Sequence, residues 1–139
     1  MARKPESQFI NGVHKYLVRS VYRMKNHNAY VGGIPDCWYS SIGRDLWIEY
    51  KYIPVSKPRI IVIPDLSELQ KRWISGRYLD GRDIWVIVGC KPGGVIYTDL
   101  NEMLDGIRPE NFIERIQTRK ELASTIDKHC SIQNLNINF

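Results

Sequence analysis

Residues 84–88 read Ile-Trp-Val-Ile-Val, five apolar side chains with no polar interruption. A strand points successive side chains to opposite faces. An unbroken apolar run therefore marks a strand that is covered on both sides, inside a sheet sandwiched between helices. The rest of the chain supplies the layers. Phe9, Ile10, Val13, Leu17 and Val21 are spaced three and four apart, which predicts a helix from residue 5 to about 23 with Pro5 in its first turn. Residues 25–28 are polar and read as a loop, and 29–31 as a short strand. Gly32-Gly33 then permits a sharp turn or a close approach of the backbone. Residues 37–41 and 46–53 form a predicted hairpin around a turn at Gly43.

Three prolines interrupt residues 54–64, so 59–63 (RIIVI) reads as a short strand or an extended apolar loop. Asp65 or Ser67 caps a second helix. Leu66, Leu69, Trp73 and Ile74 line its inner face, and a loop follows at 76–81. A turn at 92–94 returns the chain as a strand over 95–98. A single helix is expected from Pro109 to about residue 129, and 131–139 read as an edge strand or tail. Helices flanking a mixed sheet give an α/β or α+β arrangement.

At 139 residues, one domain with its own core is expected. No stretch approaches the apolar length of a membrane span, and residues 1–8 lack the apolar run of a secretory signal. The three cysteines form no CxxC pair, which argues against a zinc site or disulfide framework and fits a reducing, cytoplasmic setting. A net charge of +5 leans toward a polyanionic partner.

The strand over 46–53 poses the chemical question. It holds Glu49 and Lys51 among apolar residues, although strand interiors disfavour both. Alternation puts Trp47, Glu49 and Lys51 on one face and Leu46, Ile48, Tyr50 and Tyr52 on the other. Twelve residues separate Asp36 from Glu49, and the hairpin brings the two together. Converging carboxylates repel unless a cation lies between them, and Mg²⁺ is held by one or two carboxylates with water and substrate phosphate completing its shell. An adjacent lysine can orient water or neutralise transition-state charge. That set suffices to hydrolyse a phosphodiester. The bland reading is an exposed Glu49–Lys51 charge pair of little energetic worth. Glu6, on the apolar stripe of the first helix, reads by itself as a carboxylate favoured by the helix dipole.

Gly33-Ile34-Pro35-Asp36 followed by Glu49-Tyr50-Lys51 resembles the PD-(D/E)XK nuclease motif. The match extends to Glu6 in the first helix, to Leu66-Ser67-Glu68-Leu69-Gln70 opening the next, and to the hydrophobic strand after it. In this it is similar to the VRR-NUC branch of small nucleases found in phages and repair proteins. The resemblance covers residues 6 to about 98. It implies a restriction-endonuclease-like core over 1–100, with 101–139 a helical extension on the same domain. It implies Mg²⁺ or Mn²⁺ held by Glu6, Asp36, Glu49 and the backbone carbonyl of Tyr50. Asp36, Glu49, Lys51 and Gln70 would be catalytic, with Lys51 assisting the attacking water and Gln70 orienting Lys51 or touching DNA. It further implies a homodimer cutting branched or flapped DNA, four-way junctions included, and leaving a 5′-phosphate. The alternatives are a non-catalytic nucleic-acid-binding module with this fold, or a nuclease of linear DNA.

Other residues suit supporting roles. Lys57, Arg59, Lys71 and Arg72, with Arg77 and Arg82, suit a phosphate path or a solvated surface. Tyr39, Trp47, Tyr52, Trp73 and Tyr78 suit base stacking, although core packing is the stronger reading for the two tryptophans. The histidines have no metal-ligand spacing, and Lys91-Pro92-Gly93-Gly94 lacks the ending of a P-loop.

Overall fold

The computed structural model describes residues 5–18, 21–25, 33–41 and 44–131. Its centre is a five-stranded mixed sheet in the order β1-β2-β3-β4-β5. The strands are β1 (Tyr22–Lys25), β2 (Cys37–Ser41), β3 (Arg44–Tyr52), β4 (Ile84–Cys90) and β5 (Gly93–Tyr97). Among the described strands only the β3–β4 pair is parallel. Its crossover contains helix α2 (Glu68–Leu79), as a parallel connection requires.

Every residue of β4 is buried, as its apolar run predicts. One face of the sheet packs under α1 (Pro5–His14) and α5 (Arg119–Ser131), around Phe9, Leu46, Ile48, Tyr50, Ile87 and Leu122. The other packs under α2, α3 (Leu100–Asp105) and α4 (Pro109–Glu114), around Ile74, Val86, Val88, Tyr97, Met103 and Phe112. This is an α/β fold with helices on both faces of a mixed sheet. The three cysteines form no disulfide with one another and are buried.

Several boundaries differ from expectation. The first helix stops at His14, and Tyr22–Lys25 is a strand. Leu17 and Val21 still pack on the first core, so their spacing matched a helix while a turn delivered them. Helix α2 runs through the expected loop to Leu79, and Leu69 is 54% exposed, which removes it from the inner face. Residues 59–63 form no strand beyond a bridge from Val62 to Ile107. The long C-terminal helix is instead α4 and α5, preceded by α3. The break follows from Thr118 and Glu121. Thr118 N–H donates to Glu121 Oε1 (2.8 Å) and Glu121 N–H to Thr118 Oγ1 (3.1 Å), a capping pair that starts a new helix. Gln117 meanwhile pairs with Gly94 on β5. The expected strand at 29–31, the turn at Gly43 and nearly all of the tail lie outside the described residues.

Candidate active site

The hairpin register pairs Cys37 with Ile48, which sets Asp36 beside Glu49. Each carboxylate takes a backbone donor from the other's strand. Asp36 N–H donates to Glu49 Oε1 (3.2 Å), and Tyr50 N–H donates to Asp36 Oδ2 (3.0 Å). Lys51 Nζ lies 3.6 Å from Glu49 Oε2. Glu49 is only 1% exposed, so the surface charge-pair reading fails.

Gln70 reaches the same carboxylate. Ser67 caps α2 through a capping box, in which Gln70 N–H donates to Ser67 Oγ (3.1 Å) and Ser67 N–H to Gln70 Oε1 (2.9 Å). With its oxygen engaged, the amide turns its nitrogen outward, and Nε2 donates to Glu49 Oε2 (3.1 Å). Gln70 thus holds Glu49, where the resemblance implied that it would orient Lys51 or touch DNA. Gly33 makes the approach possible. Its φ is +87°, and a Cβ there would sit 2.3 Å from the Leu69 carbonyl oxygen. Only glycine lets the turn close onto the first residues of α2.

Burial is the main force pushing the Glu49 carboxyl up to about 9; the Asp36 charge and contact with its carboxyl add to it, Lys51 opposes, and the Glu6 charge raises it slightly further. Glu6, half-buried in the first turn of α1, therefore acts on Glu49 at least through its field. Lys51 only partly offsets burial and the neighbouring acids, and a further cation would relieve the carboxyl. Among the described residues no three His, Cys, Asp or Glu side chains converge as a ligand group. The donors are two carboxylates with backbone nearby, a set that suits Mg²⁺ or Mn²⁺ and not Zn²⁺. The backbone of Tyr50 is tied to Asp36 by its N–H, while its ring belongs to the opposite face.

The basic candidates stand apart from this group. Lys57 and Arg59 line an apolar groove of about 580 Å³ with the exposed Ile60 and Ile61. Lys71 pairs with Glu68 at 3.4 Å on α2, and Arg72 is exposed. None of the four bonds to Asp36, Glu49 or Lys51. Tyr39 is fully buried and unavailable for stacking. Its hydroxyl joins Tyr50 OH (2.5 Å) and His14 Nε2 (2.6 Å). The sequence reading passed over Trp38, which lies directly opposite Trp47; the hairpin register was the signal for it.

No family model matches the sequence, and no curated protein matches it. The likeness lies in the fold. A Holliday junction resolvase, Hjc of Archaeoglobus fulgidus, is similar to this chain. The TM-score is 0.53 at 12% identity, over 86% of this chain and 96% of that one. At that identity the likeness speaks for architecture, and function has to be argued from the site.

Proposed function

We propose that this chain is a metal-dependent endonuclease of the PD-(D/E)XK type that cuts branched or flapped DNA. The observation that carries the reading is the reciprocal lock of Asp36 and Glu49, flanked by Lys51 and Gln70, on a fold shared with a junction resolvase. Asp36, Glu49 and the Tyr50 carbonyl would hold Mg²⁺ or Mn²⁺, with Glu6 completing the acidic cluster. The ion would polarise the scissile phosphate and lower the pKa of water within its reach. Lys51 orients the attacking water and offsets charge that develops on the phosphate. Gln70 fixes the rotamer of Glu49, which keeps the pair aligned before substrate arrives. Lys57, Arg59, Lys71 and Arg72 contact the DNA backbone and set position without reading sequence.

The Gly33–Asp36 turn and the Leu66–Gln70 helix start favour the VRR-NUC branch, with residues 1–100 as the nuclease core and 101–139 as its extension. A homodimer would match its two-fold axis to that of a four-way junction, in the cytoplasm of a bacterial or phage-infected cell. The test is cleavage of labelled four-way junction, flap and linear duplex in Mg²⁺, Mn²⁺ and EDTA, with Lys51→Ala alongside. Metal-dependent nicking near the branch, lost in the variant, supports the proposal. Branched-DNA binding with no cleavage in either metal points to a non-catalytic module instead.

A further inference from the structure

A row of aromatic side chains runs toward the carboxylate pair on its own face of the sheet. Trp47 precedes Glu49 by two residues on β3 and so shares its face. Trp38 lies directly opposite Trp47, and Met24 opposite Trp38. Ring centroids are 5.6 Å apart for Tyr22–Trp38, 6.2 Å for Trp38–Trp47 and 5.4 Å for Trp47–Trp73. Trp38 and Trp47 are half-buried, while Tyr22 and Met24 are 57% and 43% exposed.

Trp47 also walls a polar groove of about 730 Å³ with Arg44, Asp45, Arg82 and Asp83. The charges there are not equivalent. Asp83 is engaged by Arg44 (3.6 Å) and His129 (3.1 Å), and Asp45 accepts from Ser40 (2.7 Å). The Arg82 guanidinium has no partner among the described residues. A flat aromatic wall next to an unengaged guanidinium matches the two halves of a nucleotide, a π-faced base and an anionic phosphate.

We infer that this groove takes an unpaired nucleotide of the DNA substrate, its phosphate at Arg82 and its base against Trp47, the wall that the adjoining Trp38 ring extends beyond the groove. The inference rests on the nuclease reading and sharpens its substrate class. DNA with a splayed base next to the cut, at a flap or branch point, is preferred over continuous duplex, whose bases are already stacked.

The experiment compares affinities for a flap duplex and for the same duplex without the flap, by fluorescence anisotropy in EDTA at fixed salt. Trp38→Ala and Arg82→Ala are each expected to lower the flap-to-duplex affinity ratio about tenfold. Trp38→Phe keeps most of the ratio because it keeps a ring. Arg82 is exposed, so its variant reads the site even if Trp38→Ala folds poorly. An unchanged ratio in Arg82→Ala and Trp38→Ala overturns the inference. So does a Trp38→Ala protein that passes from dimer to monomer with the ratio intact, since a second copy then covers the row. Cleavage of branched DNA alongside an unchanged ratio sinks this site and spares the nuclease reading. A wild-type protein that binds neither DNA sinks both.

Discussion

Strand β3 buries polar groups on both of its faces, and they are treated in opposite ways. On the α1–α5 face, Tyr50, Tyr39 and His14 form a chain of hydrogen bonds. Burial raises both phenols well above their usual range, so they stay neutral and satisfied. One residue away, on the α2 face, Glu49 is buried against a like charge and pushed up toward proton uptake. The first arrangement costs little once formed and fixes the packing. The second is costly alone, and a cation between the carboxyls would relieve it. Buried polar groups that satisfy one another speak for structure, and buried groups that repel speak for a site.

The largest expected contrast comes from neutralising Glu49. Glu49→Gln should lower the cleavage rate by at least about 10²-fold while the protein stays folded at pH 7, because burial and the Asp36 charge already favour the neutral form of this carboxyl. A variant that cuts normally would remove Glu49 from the site. On the other face, Tyr39→Phe should cost about 1–3 kcal/mol in urea unfolding, since it strips a partner from His14 and Tyr50. Cleavage per folded molecule should stay the same. A large loss of turnover at full stability would erase the distinction between the faces.

Gly33→Ala should act on both properties at once. It meets the Leu69 carbonyl and a positive φ, so a loss of more than about 1 kcal/mol is expected, with weaker Mg²⁺ binding as Gln70 is displaced. Calorimetry with and without Mg²⁺ separates the two effects.

Stability should also depend on pH in a definite direction. Glu49 rises from 4.5 to about 9 on folding, so between those values the folded protein keeps a proton that the unfolded chain has released. Its contribution is complete below about 4.5 and is lost as pH climbs through about 9. Melting in EDTA should show this decline, Mg²⁺ should flatten it, and Glu49→Gln should abolish it. An unchanged slope in that variant would assign the decline to another group. The smallest effect is expected from Gln70→Ala, a few-fold fall in rate from loss of about 1 kcal/mol of positioning.

Much of the site was legible in local patterns. Alternation alone put Glu49 and Lys51 on one face, and the hairpin set Asp36 beside Glu49. Ser67-x-x-Gln70 was visible as a helix start, but its meaning was not. The same capping box that opens α2 frees the Gln70 nitrogen to reach Glu49 across 21 positions. The pattern was less reliable where two structures share one spacing. Leu17 and Val21 continued a helical stripe into a turn, and a capping pair at Thr118 and Glu121 split what apolar spacing presented as one helix.

By itself the sequence determined the layers, because a strand with no polar residue must be covered on both faces and helices with one apolar side must supply the cover. It also determined the hairpin and the residue types at its chemical face. Only the tertiary structure decided that Glu49 is buried, that Gln70 holds it, and that Trp38 and Trp47 continue its face toward Arg82. Each of these depends on contacts between segments distant in sequence, and desolvation is a property of the assembled surroundings that no single strand possesses.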